Sequence, residues 1–273
     1  MQKIKNFLIN GSFSFIVKYI YEFIILILLE IEFLQDIFFQ KSNQILLNEN
    51  VTIIIKTFER PSILKRSILS IRRFYPNIRI VVVDDSKESL YIKDVEYYKL
   101  SYDVGVSEGR NIALSYVKTK YTLVIDDDFI FNRNTDILSV YEKLENNPDI
   151  DIVAGSVINL PFYTKNNYLD GFLHPSNASS KILEGTIIDS MVVHDKVPNF
   201  YLARTDSIRK VAWDSRIKRL DHADFFTRAK GVLVSTVYEK FRVLHSKTPF
   251  DKKYMSIRMN LESDHDILQM KFY

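Results

Sequence analysis

Cysteine is absent from the 273-residue chain, which excludes a disulfide scaffold, a thiolate nucleophile and any Cys-ligated zinc or iron–sulfur site. Glycine is scarce, at 7 residues, and neither GxGxxG nor a Walker sequence occurs. The phosphate loops of dinucleotide enzymes and P-loop NTPases are therefore missing. An excess of one charge is lacking too, since 37 basic and 34 acidic residues leave a net +3. Nucleic-acid binding needs concentrated positive charge, so no nucleic-acid partner is expected. A spanning helix needs about 18 or more residues with few or no charges. The most apolar segment, 13–39, is charged throughout, and its longest uncharged stretch near the centre is Phe23 to Leu29. It also lacks the small-residue cleavage site of a signal peptide.

What is present is the balance of a globular protein, 47% apolar and 26% charged. The length fits one α/β domain of roughly 200–250 residues with a short extension. Residues 1–50 form that extension. Lys18, Glu22, Glu32 and Asp36 share one side of a helical wheel, with Lys18 and Glu22 spaced for an i,i+4 pair. The segment reads as an amphipathic helix followed by a polar linker from Gln40 to Asn50. Its apolar face suits a membrane interface, helped by Lys3, Lys5 and Lys18. It suits equally a seat on the remaining domain or on a second copy of the chain. Peripheral membrane contact through 1–40 and a homodimer are both open expectations.

From residue 51 onward strand and helix patterns alternate. Val51 to Thr57 is a β-branched run, and Pro61 opens a helix with apolar positions at Ile63, Leu64, Ile68, Leu69 and Ile71. Strands at 78–83 and 121–125 alternate with helices at 106–117 and about 135–146. This order predicts parallel pairing and a three-layer α/β domain, a mostly parallel central sheet with helices on both faces. The stretch 161–181, rich in Asn, Ser, Gly and Pro, reads as a long loop of the kind that forms lids or binding loops.

Ligands of such sheets sit at the carboxyl ends of the strands. There the sequence places Lys56 to Arg60, Asp84 to Ser86, and the triplet Asp126, Asp127 and Asp128. Three adjacent carboxylates repel one another, and a divalent cation with oxygen ligands is a natural counter-charge. The plainer alternative is that each Asp makes a turn or caps the next helix. Gly105 to Asn111 sets two glycines and Arg110 at a helix start, suited to an anionic ligand or simply to a helix N-terminus.

Taken together, TIIIKTFERP (52–61), DDS (84–86), GVSEGRN (105–111) and YTLVIDDD (121–128) occur in the order seen in inverting GT-A glycosyltransferases. NFYLARTD (199–206), AWDSRIK (212–218), DHADFF (221–226) and VLHSK (243–247) continue the same likeness. The chain most resembles the β-1,4-N-acetylgalactosaminyltransferases and their bacterial relatives, over roughly residues 51 to 260. The resemblance implies a GT-A domain at 51–273, with a nucleotide-binding half (51–130) and an acceptor and catalytic half (131–273). It implies transfer of a hexosamine, GalNAc first among them, from a UDP-sugar to an oligosaccharide or lipid-linked glycan. Another UDP-hexose (Gal, Glc or GlcNAc) is the alternative within the class. The expected location is the cytoplasm or the inner face of the cytoplasmic membrane.

The family's acidic motif binds the nucleotide-sugar through Mn²⁺ or Mg²⁺. Carried over, Asp128 ligates the metal, Asp126 faces the ribose or uracil, and Asp127 assists either. His245 becomes a candidate further ligand, though a His after a strand is also an ordinary surface residue; imidazole suits Mn²⁺ and is unusual for Mg²⁺. Asp85 is expected to read uracil. Thr57, Glu59 and Arg60 line the nucleotide pocket and Arg110 nears the uridine or the diphosphate, unless either Arg serves a structural ion pair. Asp224 matches the family's catalytic base, with Ala223 replacing a Glu that many relatives carry; a helix N-terminal charge is the alternative. Asp221 is its understudy, and Trp213, the only Trp, stacks on a sugar or sits in the core. Two other classes remain, a nucleotidyltransferase and a catalytically silent glycan-binding module.

Overall fold

The computed structural model describes residues 14–35, 44–90, 92–167 and 172–273. Expectations for 1–13 and 36–43 lie outside the described residues. The order along the chain is α1 (Ser14–Gln35), α2 (Gln44–Asn50), β1 (Val51–Thr57), α3 (Pro61–Phe74), β2 (Arg79–Asp84), β3 (Glu96–Lys99) and α4 (Val106–Ser115). It continues with β4 (Tyr121–Asp126), β5 (Phe129–Ile130), α5 (Ile137–Asn146), β6 (Ile152–Asn159), β7 (Thr164–Lys165), β8 (Ile187–Ile188), β9 (Met191–Val193) and β10 (Tyr201–Arg204). The last elements are α6 (Thr205–Val211), α7 (Asp221–Ala229), β11 (Ser235–His245), α8 (Lys252–Arg258) and α9 (Glu262–Phe272).

The strands form one sheet in the order β3-β2-β1-β4-β10-β6-β11-β9-β8, with β5 on β11 and β7 on β6. The first four are parallel, as is β6 with β11, whereas β10 enters antiparallel between β4 and β6. Alternation along β1 builds the three layers. Ile53 and Ile55 pack with Leu64, Ile68 and Ile71 of α3, while Ile54 packs with Ala113 and Leu114 of α4 and Phe225 of α7. Each such side chain, fully buried, contributes about 1.5–3 kcal/mol. The α/β architecture with helices on both faces is thus present.

Two details depart from the sequence expectation. The polar linker is in part helix, because Leu47 of α2 is fully buried against Val51 and Ile53. The loop 161–181 contains the β7 pairing to β6, and its His174 stacks on Phe272 of α9 at 4.4 Å. The His174 backbone N–H also donates to Thr227 Oγ1 at 3.0 Å, tying the loop to α7.

Of the seats open to α1, the structure shows one. Ile25 and Leu29 are buried against Ile130, Leu160 and Leu244, and Tyr21 meets Phe250 edge to face. Lys18 and Glu22 form the expected pair at 3.8 Å. The other side of α1 exposes Phe15, Ile16, Tyr19, Ile20, Phe23 and Ile27. No described helix is long and apolar enough to cross a membrane.

Candidate active site

The sheet topology brings distant segments to one edge. β1 and β4 are in parallel register with Lys56 opposite Asp126, so both strands end at the same level. β11 returns beside β6 and pairs with β5 at His245 opposite Phe129, which sets His245 beside Asp128. Between them opens a cleft of about 250 Å³, lined by Arg60, Arg110, Asp126 to Asp128, Asp221, His222 and His245. Its far wall comes from Lys218, Arg219 and, on α8, Tyr254, Ile257 and Arg258.

The acidic triplet is held by protein cations. Arg60 binds Asp127 and donates to Asp128 Oδ2 at 2.9 Å, and Thr57 donates to Asp127 Oδ2 at 2.6 Å. Burial pushes the Asp127 carboxyl up to about 6, against the pull of Arg60. Burial also opposes the charge of Asp128, but His245 and Arg60 outweigh it and hold that carboxyl well below the usual range. Arg110 bridges the two halves of the cleft, donating to Asp126 Oδ1 at 2.7 Å and binding Asp221. Burial raises Asp221 despite that guanidinium.

The donor set at Asp128 and His245 fits a divalent cation. Asp128 Oδ1 is buried without a hydrogen-bond partner and lies 3.3 Å from His245 Nε2. His245 Nδ1 lies 3.0 Å from Asn159 Oδ1, which can accept its hydrogen, and Nε2 is the nitrogen turned toward Asp128. A carboxylate oxygen and an imidazole nitrogen brought together in this way are a pair of donors that a shared ion can use. Among the described residues no three His, Asp or Glu side chains converge as a complete set. A cation here would take its remaining ligands from diphosphate and water, as is usual for hard ions.

Several expected residues stand elsewhere. Asp85 is fully buried, accepting the Gly105 N–H at 3.0 Å and pairing with Lys56 Nζ at 2.7 Å. It braces the pocket wall from behind and is not among the residues that line the cleft. Gly105 has φ +99° and a Cβ there would lie 2.7 Å from Lys218 Cα, so this wall requires glycine. Asp224 is also outside the cleft. Its carboxylate is buried and bound by Lys271 at 2.5 Å and Arg228 at 2.9 Å. Three residues along a helix lie only about 60° apart in phase, so it is the rise of about 4.5 Å together with Lys271 and Arg228 that seats Asp224 beneath α9 while Asp221 stays at the cleft. Trp213 is core, stacked on Phe225 at 5.0 Å. Glu59 lies at the rim, where it accepts from Lys87 N–H at 2.7 Å and from Lys253 Nζ at 2.7 Å.

Lys56, Asp103, His222, Lys218, Arg219, Tyr254 and Arg258 were not singled out from the sequence. The i,i+4 spacing of Tyr254 and Arg258 is the one local signal that marks them. His222 Nε2 lies 2.7 Å from the Val197 carbonyl and its ring meets Phe226 edge to face. Burial lowers its pKa to about 4, so the ring is neutral at ordinary pH.

Comparisons with known proteins agree with this geometry. Residues 52–212 match the family described as glycosyl transferase family 2. Over 193 residues the chain is 40% identical to beta-1,4 N-acetylgalactosaminyltransferase 2 of Mus musculus, covering 67% of this chain and 37% of that protein. It is 37% identical over 196 residues to beta-1,4 N-acetylgalactosaminyltransferase 1 of Homo sapiens, covering 67% and 36%. The chain thus spans rather more than a third of the length of these relatives. The crystal structure of S. aureus TarS 1–349 superposes with a TM-score of 0.55 at 13% identity, over 72% of this chain and 60% of that one. The same protein in complex with UDP-GlcNAc gives 0.54 at 14% identity, over 72% and 58%. At such identities the likeness is one of fold. The resemblance drawn from the ordered sequence blocks is borne out.

Proposed function

The chain belongs to glycosyl transferase family 2, and from that premise we propose that it transfers a hexosamine, GalNAc first among candidates, from a UDP-sugar to a glycan hydroxyl with inversion. The observation that carries the reading is the buried Asp128 Oδ1 facing His245 Nε2 at the edge where β1 and β4 end. The activity for which these relatives are named supports the choice of sugar. Asp128 and His245 would hold Mn²⁺ or Mg²⁺, which when bound offsets the charge of the diphosphate leaving group.

Arg60 and Arg110 fix the carboxylates so that the cleft needs no rearrangement before reaction. As the acceptor oxygen bonds to the anomeric carbon, the bond from that carbon to the β-phosphate oxygen breaks and its electron pair stays on UDP. The acceptor proton passes to a cleft base. Asp221 is the carboxylate of the 221–226 segment that faces the cleft, and burial raises its affinity for that proton. His222 is the second candidate: with Nε2–H donating to the Val197 carbonyl, the basic lone pair is on Nδ1.

A UDP-sugar panel with chain-terminal glycan acceptors tests the function. Transfer with release of UDP and a β-linked product supports it, and release of pyrophosphate would point to a nucleotidyltransferase. Asp221→Asn and His222→Gln then separate the bases: the true base loses roughly 10²–10⁴-fold in turnover while UDP affinity is kept. The exposed apolar side of α1 supports a lipid interface as its seat and a lipid-linked acceptor as the substrate.

A further inference from the structure

We infer that Arg258 of α8 receives the diphosphate of the nucleotide donor, an inference that rests on the UDP-sugar reading of the cleft. Charge matching within the cleft singles this residue out. Six cationic side chains of Lys or Arg line the cleft, and five already face a carboxylate. Lys56 is taken by Asp85, Arg60 by Asp127 and Asp128, Arg110 by Asp126 and Asp221, and Lys218 and Arg219 by Asp103. Arg258 has no carboxylate partner among the described residues. Its Nη1 donates to the Tyr254 hydroxyl at 3.3 Å.

A diphosphate entering a cleft lined by five Asp carboxylates meets repulsion that the paired cations already spend themselves on offsetting. Arg258 feels Asp126 and Asp128 only at longer range, so it is the cleft cation least committed to a carboxylate and most able to turn its donors to the ligand. A guanidinium also presents parallel N–H donors that match two phosphate oxygens, which an ammonium does not.

The position of α8 is fixed, not incidental. Lys253 Nζ reaches Glu59 on the β1 side at 2.7 Å, and Arg219 Nε donates to the Ile257 carbonyl on the opposite wall at 2.9 Å. Asp251 caps the helix by accepting the Tyr254 N–H at 3.0 Å. The Tyr254 ring lies 4.1 Å from the Arg60 guanidinium, and Arg258 follows one turn later. Tyr254 therefore spaces Arg258 from Arg60 across the acidic triplet. As the glycosidic bond breaks, negative charge grows on the β-phosphate, and a preplaced guanidinium stabilises it without reorganisation.

The test is titration of UDP and of uridine, in Mn²⁺ buffer, into the whole chain and into Arg258→Ala and Arg258→Lys. Arg258→Ala should weaken UDP by roughly 10- to 100-fold, the effect of losing a charged hydrogen-bonding pair, with uridine unchanged. Arg258→Lys should recover part of the loss. Unchanged UDP affinity in Arg258→Ala, or equal losses for UDP and uridine, would overturn the inference while leaving the UDP-sugar reading in place. If the unsubstituted chain bound no UDP, the reading of the cleft itself would fall, and this inference with it.

Discussion

Arg110 grips Asp126 from the end of β4 and Asp221 from the start of α7, and so joins the sheet edge to the helix that closes the cleft. Such a buried bridge places its neighbours, and removing it would strand two carboxylates. His222, next along α7, gives the cleft a measurable pH signature. Its folded-state pKa of about 4 lies below its ordinary 6.5, because burial disfavours the charged ring. Between those values the unfolded chain binds a proton that the folded chain does not. The His222 contribution is therefore complete above the window and is lost as pH falls through it. In denaturant unfolding, His222→Gln should flatten the decline of stability across the window by up to about one proton. Parallel slopes for the two proteins would show that His222 is not held neutral by the fold.

At the scale of elements, α1 has two sides with different consequences. Leu29 is buried in the contact with Ile130 and Leu244, so Leu29→Ala should cost about 2–5 kcal/mol in denaturant unfolding. Phe23 and Ile27 point to solvent at 63% and 43% exposure. Replacing both with Ser should leave stability within about 0.5 kcal/mol but reduce flotation with lipid vesicles. Flotation unchanged by that double substitution would remove the membrane seat proposed for α1.

The elements also show how much was readable beforehand. The β-branched run at 51–57 and Pro61 mark β1 and the start of α3 because period and proline geometry act locally. α2 was hidden, since a single buried Leu47 in a polar heptad carries no periodicity. That Asp224, the base expected from the resemblance, lies outside the cleft was hidden for a related reason. Asp221 and Asp224 lie in one short motif, and only the docking of α9 through Lys271 decides which faces the cleft. Asp85 likewise sits where a uracil contact was expected, but its pairing with Lys56 depends on the packing of β1 beside β2. Contacts set by strand order and helix phase leave little trace in local sequence.

Across the whole molecule, the cleft is a balance of charge assembled from segments more than a hundred residues apart. The parallel half of the sheet supplies the triplet, the long strand β11 supplies His245, and the C-terminal α8 supplies Tyr254 and Arg258. Among the described residues the cleft thereby sets a carboxylate oxygen of Asp128 opposite an imidazole nitrogen of His245, and leaves the Arg258 guanidinium beyond ion-pair distance of a carboxylate. The central claim is that this arrangement binds a uridine diphosphate through a divalent ion. It is tested most directly by calorimetric titration of UDP, with CDP and GDP as controls, in Mn²⁺ and again in EDTA. Binding selective for UDP, present in Mn²⁺ and lost in EDTA, is the expected result. Equal affinity in EDTA, or no preference among the three nucleotides, would contradict it.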